Sequence, residues 1–234
     1  FRSGTVLPGQ VAGDVVKAYR LSASQQYGGH AAAATLVDRG VAMLALFLIG
    51  AIAATPLAEV PTGLRIALWA GCAGLLCGGS LLTLSSVRDR LVALTQSSGS
   101  GRIARGLAFL QRLAHALHDA LRRPRRIAFA FMLALVYHAI CIAIHVLLGH
   151  ALGLDLGAAV WCLVYASVSV LMLLPISVAG IGLREGGYVG LLALFGVNRE
   201  TALALSFTFL GYALFGALLG SIAELAATRP RSPG

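Results

Sequence analysis

Arg184 and Glu185 are charged residues that directly follow an apolar stretch interrupted by helix-breaking residues. Pro175 lacks a backbone N–H, and Gly180 and Gly182 tolerate irregular backbone, so a helix should break here. A helix that restarts near Gly182 points N-terminal N–H groups with partial positive charge toward the break, and Arg184 adds a full positive charge. We therefore predict an anion site suited to phosphate. Glu185 would pair with a cation or take up a proton.

Two further groups of residues could do chemistry. Asp38 and Arg39 stand at the start of an apolar run, where topology alone does not require an acid. His138, Cys141 and His145 share one helical face, a spacing that could ligate a metal. Without a second Cys/His pair to complete the ligand set, buried and hydrogen-bonded histidines are the favoured interpretation. We expect no cofactor, because no nucleotide-binding loop or acidic Mg²⁺ cluster occurs in the sequence.

Composition identifies the kind of protein that must position these residues. Of the 234 residues, 58% are apolar and 12% charged, with 28 glycines in addition. The mean hydropathy is +0.85. A soluble chain of this length could not bury so much apolar surface. The composition indicates an integral membrane protein and excludes a disordered chain, a disulfide scaffold and an ordinary cytosolic enzyme.

Apolar runs between charges mark the membrane segments. A span needs about 20 residues to cross the hydrocarbon, and five charge-free runs meet or nearly meet that length: Gly40–Ala58, Ile66–Val87, Ile127–Leu154, Leu156–Leu183 and Thr201–Ala223. A sixth, Gly186–Asn198, is too short to cross alone. We predict an all-α polytopic membrane fold with about five to six membrane segments, including broken or re-entrant helices.

The interrupted segment has a counterpart near the beginning of the chain. Leu7–Gly13 and Leu174–Gly180 share the pattern Leu-Pro-x-x-Val-Ala-Gly, and charged residues follow each copy: after the first copy these are Asp14, Lys17 and Arg20. Paired Gly/Pro-interrupted segments are typical of inverted repeats that meet at a substrate site. Alternatively, Pro and Gly only kink two packed helices, and Arg184 and Glu185 lie at the membrane surface.

The distribution of positive charge predicts the orientation. Nine arginines lie within residues 88–126, against two acids, so this basic segment should be cytoplasmic. Alternating the spans places Glu59–Arg65, Asp155 and Arg199–Glu200 outside and the C-terminal tail inside. The net charge of +9 therefore reflects membrane topology, and we expect no nucleic-acid partner.

Within the basic segment, apolar residues recur at steps of three and four and predict an amphipathic helix that ends before Pro124: Ile103, Leu107, Leu110, Ala114, Leu117 and Leu121. It is either an interfacial helix on anionic lipid or a tether whose arginines only set the topology. Ser97–Gly101 should form a hinge before it. Three small-xxx-small pairs predict close helix contacts: Gly74/Gly78, Gly186/Gly190 and Gly216/Gly220.

The two motifs, with Asp38–Arg39 opening a span, resemble the lysylphosphatidylglycerol synthase transmembrane (flippase-like) family. Ala12 and Ala179 stand where the family pattern usually has glycine. The resemblance covers essentially the whole chain and implies a multi-pass bacterial or archaeal inner-membrane protein that handles lipid. Family members usually begin with further membrane helices, so we expect residues 1–234 to be a single, N-terminally incomplete transmembrane domain.

Three functions remain open after the sequence is read. The favoured one is a flippase, not an enzyme, that moves an anionic or aminoacylated phospholipid or a polyprenyl- or hopanoid-type lipid. The substrate-binding candidates are Arg184, Glu185, Gly180, Gly182, Asp14, Lys17, Arg20, Asp38 and Arg39. The alternatives are a membrane-embedded aminoacyl- or glycosyltransferase and a scaffold for lipid-pathway enzymes. The protein partners left open are a second copy of the chain and an enzyme of lipid synthesis.

Overall fold

A computed structural model describes residues 28–97, 102–173 and 182–227. These residues form eight α-helices and no strands: α1 (Gly28–Ala54), α2 (Thr62–Thr83), α3 (Ser85–Ser97), α4 (Arg102–Leu121), α5 (Pro124–Ala151), α6 (Ala158–Met172), α7 (Leu183–Ala193) and α8 (Arg199–Ala227). The predicted all-α polytopic membrane fold is confirmed.

Within the described ranges, four helices are long and apolar enough to cross a membrane: Thr35–Ala54, Thr62–Thr83, Pro124–Ala151 and Arg199–Gly220. They correspond to four of the five long runs predicted from the sequence. The fifth run contains α6, whose 15 residues extend only about 22 Å, less than the hydrocarbon thickness of about 30 Å. The short run forms α7, of 11 residues. The short run is too short to cross alone, as predicted, whereas the fifth run, which nearly meets the spanning length as a sequence, contributes a helix that is shorter than a span.

The predicted break in the fifth run is confirmed by the helix ends on either side of it. Helix α6 ends at Met172 and α7 begins at Leu183. Gly182 caps α7 with a φ of +85°, a left-handed conformation that glycine adopts without steric cost. Residues 174–181 lie outside the described part of the chain, as does the first motif with Asp14, Lys17 and Arg20. The inverted repeat therefore stays a prediction.

Helix α6 is the buried centre of the bundle. From Val160 to Val168 nearly every side chain is buried, including Trp161. Its residues form one apolar core with Tyr188, Leu191 and Leu192 of α7 and Ala202 and Leu205 of α8, so α7 is held between two neighbours. A helix that is apolar on all sides is expected at such a central position.

Three connections between helices lie at the same end of the bundle. Leu57 from the α1–α2 connection, Leu154 from the α5–α6 connection and Phe195 from the α7–α8 connection all pack against this one core. The predicted topology places all three connections outside the cell. Their shared packing agrees with that grouping.

The basic segment is largely helical, and its amphipathic helix is confirmed as α4, which ends at Leu121 before Pro124. Helix α4 packs against α1, α2 and α3. On its apolar stripe Ala114 is fully buried, whereas Leu110 and Leu121 are exposed. The stripe therefore faces protein on part of its length and leaves apolar side chains exposed on the rest. Residues 98–101 of the predicted hinge are outside the described part.

Within the described part of the chain, the three glycine pairs do not form the predicted close helix contacts. A Cβ added at any of their six glycines would meet no described atom within 4 Å. Helices approach closely instead where a side chain of one helix fills the notch above a glycine of another, as Trp161 does at Gly149. Spacing alone marks a small-residue face, but the large residues of the neighbouring helix decide which glycine is used.

Gly149→Ala should destabilise the protein. Its new methyl group would overlap the ring of Trp161, which is fully buried and cannot move aside. Overpacking of this kind costs about 1–3 kcal/mol. The matched control is Gly74→Ala, in a helix but facing open space, where alanine should be neutral or stabilising. Thermal unfolding of the detergent-solubilised protein measures both, and equal midpoints for the two variants would contradict the packing described.

Candidate functional site

Arg184 lies in the first turn of α7 and is buried, with 5% of its surface exposed. Its Nη2 donates to Oε1 of Glu185 at 2.5 Å. Its Nε donates to the hydroxyl of Ser206 on α8 at 3.1 Å. Burial of an unpaired guanidinium group would be very costly, so these two partners make the position tolerable.

Glu185 also caps the helix that carries it. Its second carboxylate oxygen, Oε2, accepts a hydrogen bond from the backbone N–H of Gly182 at 2.6 Å. This contact from the third helical residue back to the N-cap is one of the two hydrogen bonds of a capping box. The Ser206 hydroxyl lies 3.4 Å from Oε1. The carboxylate therefore accepts hydrogen bonds from a guanidinium group and a helix N-terminus, the two groups from which the sequence predicted an anion site.

The position of Ser206 along α8 gives the depth of this cluster. Ser206 comes seven residues after Arg199, where α8 and its candidate span begin. At 1.5 Å per residue it lies roughly 10 Å along α8 from that end of the candidate span. This depth and the burial of Arg184 argue against the alternative in which the two charges lie at the membrane surface.

Two histidine–tyrosine pairs extend the polar contacts along the bundle. His145 Nδ1 lies 2.7 Å from the carbonyl oxygen of Cys141, which can only accept, so the Tyr188 hydroxyl donates to Nε2 at 2.6 Å. His138 also contacts one carbonyl and one hydroxyl, with the two ring nitrogens exchanged. Its Nε2 lies 3.1 Å from the Ala42 carbonyl oxygen, and its Nδ1 lies 2.8 Å from the Tyr165 hydroxyl. The interpretation of both histidines as buried and hydrogen-bonded is confirmed. In the described ranges no group of three or more His, Cys, Asp or Glu could hold a metal.

The contacts of Tyr188 and Arg184 hold α7 at two levels. Tyr188, one turn after Arg184, bonds to α5 through His145, while Arg184 bonds to α8 through Ser206. These two hydrogen bonds fix the rotation of α7 about its axis, and so the direction of its N-terminus.

The other predicted site residues are distributed differently. Asp38 and Arg39 lie on α1, where Asp38 is exposed, and neither bonds to Arg184, whose hydrogen bonds in the described part go to Glu185 and Ser206. Gly180 lies among residues 174–181, outside the described chain. Ser206 was missed by sequence reasoning, because a serine in an apolar span is unremarkable until α7 is placed beside it.

The family model for the lysylphosphatidylglycerol synthase TM region matches residues 3–220. The chain belongs to this family. Membership makes it a multi-pass membrane protein of a lipid-related pathway, in agreement with the fold and with the predicted resemblance. No curated protein and no solved structure matches the chain.

Two buried serines test the contacts around Arg184. Ser206→Ala leaves the Arg184 Nε without an acceptor, so we expect a loss of about 1–3 kcal/mol in the free energy of unfolding. Ser167 on α6 is the matched control, because its buried hydroxyl has no hydrogen-bond partner in the described part of the chain. Ser167→Ala should be neutral or stabilising. Denaturant or thermal unfolding in detergent compares the two, and a harmless Ser206→Ala would contradict the contact.

Proposed function

We propose that this protein is a flippase that moves a lipid with a phosphate-bearing headgroup across the cytoplasmic membrane, and that it is not an enzyme. The lipid classes that fit are an anionic or aminoacylated phospholipid and a polyprenyl- or hopanoid-type lipid that carries phosphate. The observation that carries the proposal is Arg184, a cation buried about 10 Å inside the span at a helix N-terminus. Ionisable residues inside membrane segments are functional by default, because they are costly to keep there.

A flippase must lower the energy of the headgroup while the acyl chains remain in the bilayer. A bare charge at the bilayer centre costs several kcal/mol or more. A fixed guanidinium group with a helix N-terminus supplies positive charge and hydrogen-bond donors at the depth where the phosphate loses its water. Arginine suits this role because its planar fork can hold two phosphate oxygens at once.

Glu185 occupies the place that we assign to the phosphate. Its carboxylate accepts from Arg184 and from the Gly182 N–H, the same donors that a phosphate would use. In the proposed cycle the headgroup displaces the carboxylate from Arg184, and the carboxylate returns when the headgroup leaves. The arginine is therefore neutralised by an anion in both states, which avoids a buried unpaired charge. A displaced Glu185 could in turn hold the amine of an aminoacylated headgroup.

Residues of the first motif have a role in this proposal that rests on the sequence. With the basic segment 88–126 and the C-terminus on the cytoplasmic side, Lys17 and Arg20 would receive the headgroup there, and Asp14 would hold those cations or select an amine. Asp38 and Arg39, at the start of a candidate span, are proposed for the same entry side. The direct partner is the lipid; a second copy of the chain or a lipid-synthesis enzyme is the proposed protein partner.

Arg184→Ala should abolish transport, and Arg184→Lys should retain part of it, because lysine keeps the charge but not the fork. The measurement is lipid translocation in vesicles reconstituted with the purified whole protein. Arg199→Ala is the matched control: Arg199 is an exposed arginine at the start of α8, and its loss should leave the rate unchanged.

Arg184→Ala alone leaves Glu185 without its cation and can lower stability, so a second variant separates folding from transport. Removal of both partners of a buried pair is tolerated better than removal of one. The double variant Arg184→Ala/Glu185→Ala should therefore unfold at a higher temperature than Arg184→Ala and still transport nothing. Normal transport by either folded variant would refute the anion-site mechanism and favour a scaffold.

A further inference from the structure

A second arginine, Arg65, has an incompletely bonded guanidinium group on the lipid-facing side of the bundle. Arg65 lies in the first turn of α2, and its Nη2 donates to the carbonyl oxygen of Leu57 in the α1–α2 connection. Its Nε is buried but has no hydrogen-bond partner among the residues that the structure describes. Buried polar atoms are nearly always bonded, so an unpartnered N–H of a charged group indicates a missing acceptor, and a charged donor binds an anionic acceptor best.

A cleft of about 480 Å³ lies beside this guanidinium group, between the end of α1 and the outer face of α2. Apart from Arg65 it is lined by Thr55, Ile66, Trp69, Ala70 and Ala73. The last four follow the i, i+3, i+4, i+7 spacing of one helical face. Because two of these residues are alanines while Ile66 and Trp69 are large and exposed, the cleft is a predominantly apolar groove with a charged group at one end.

The groove runs from the membrane boundary into the hydrocarbon. The candidate span of α1 ends at Ala54 and that of α2 begins at Thr62, which places Arg65 close to the interface. Ala73 lies eight residues further along α2, about 12 Å deeper. Trp69 lies between them, and tryptophan is enriched at the level of lipid headgroups because its ring is both apolar and polar.

We infer that this cleft binds one phospholipid molecule in the leaflet next to the α1–α2 connection, separately from Arg184. The phosphodiester pairs with the Arg65 guanidinium group at the rim of the cleft, and an acyl chain lies in the groove past Trp69 to Ala73. Thr55, whose hydroxyl donates to Ala51 at 2.9 Å, presents its remaining oxygen lone pairs at the cleft, where a glycerol-type headgroup hydroxyl could donate to them. The inference does not depend on transport, because a protein that only binds lipid could use the same cleft.

Fluorescence of Trp69 can test this site directly. The chain has two tryptophans; Trp161 is fully buried and Trp69 is 47% exposed. Phosphatidylglycerol with brominated acyl chains should quench Trp69 at about a tenfold lower mole fraction than diacylglycerol with the same chains, because only the former offers a charged acceptor to Arg65. Trp69→Phe should abolish the lipid-dependent quenching and so identify the reporter.

Two variants separate the headgroup contact from the groove. Arg65→Ala should remove the difference between the two brominated lipids. Ala73→Phe fills the groove but leaves the Arg65–Leu57 contact, and it should weaken quenching by both lipids. The controls are Arg199→Ala, an exposed arginine, and Ala139→Phe, on an exposed face of α5, which should behave like the unmodified protein.

Equal quenching by the two lipids, or an unchanged difference in Arg65→Ala, would overturn the assignment. Water-soluble glycerophosphate is added as a competitor. If glycerophosphate relieves the quenching at the same concentration at which phosphatidylglycerol causes it, the site binds free phosphate. That result would also overturn the lipid assignment. Failure of transport in the Arg184 variants leaves this result untouched, so the two proposals can fail independently.

Discussion

A guanidinium group inside a membrane protein must keep an anion or several acceptors beside it, because neither lipid nor apolar side chains can replace its hydration. At Arg184 that requirement is met by the residue next to it, Glu185, and by Ser206 of α8. Neighbours in the middle of a helix do not face each other. The pair forms because it lies in the first turn, where the Glu185 carboxylate reaches back to the free N–H of Gly182. The ion pair therefore depends on the break in the helix, and the left-handed Gly182 makes that helix start without steric cost.

The rest of the bundle keeps this helix start in place. Helix α7 is too short to span the membrane and would not be stable alone. It is packed between α6 and α8 by the core around Trp161 and Leu192, and the Tyr188–His145 hydrogen bond joins it to α5. A rigid surround suits an anion site, because preorganised donors need not be rearranged when a ligand arrives. In the proposed cycle the part that must move is the Glu185 side chain.

Much of the architecture could be predicted because it depends on local sequence. Runs of apolar residues long enough to span the membrane became α1, α2, α5 and α8, and Pro124 became the first residue of α5. The break before Leu183 could be predicted from Pro175 and the glycines, since both residue types act on their own backbone. The pairing of Glu185 with a cation needed only neighbouring residues.

Features that depend on packing between distant segments could not be predicted. Ser206 becomes a partner of Arg184 only because α7 and α8 fold against each other. Among the described residues the glycine pairs make no close contact, whereas the large side chains of Trp161 and Phe47 fill notches at Gly149 and Gly71. The Arg65 cleft depends on how far α1 and α2 separate at their ends, a distance that no local pattern specifies.

The central claim is that Arg184 exchanges its bound carboxylate for a lipid phosphate inside the membrane. The most direct measurement is a cryo-electron microscopy structure of the whole protein in nanodiscs that contain phosphatidylglycerol. The account predicts a class of particles in which a phosphate lies within hydrogen-bond distance of Arg184 and of the Gly182 N–H, with the Glu185 side chain turned away. A structure in which Glu185 still holds Arg184 in every class, with lipid phosphates confined to the membrane surface, would contradict it.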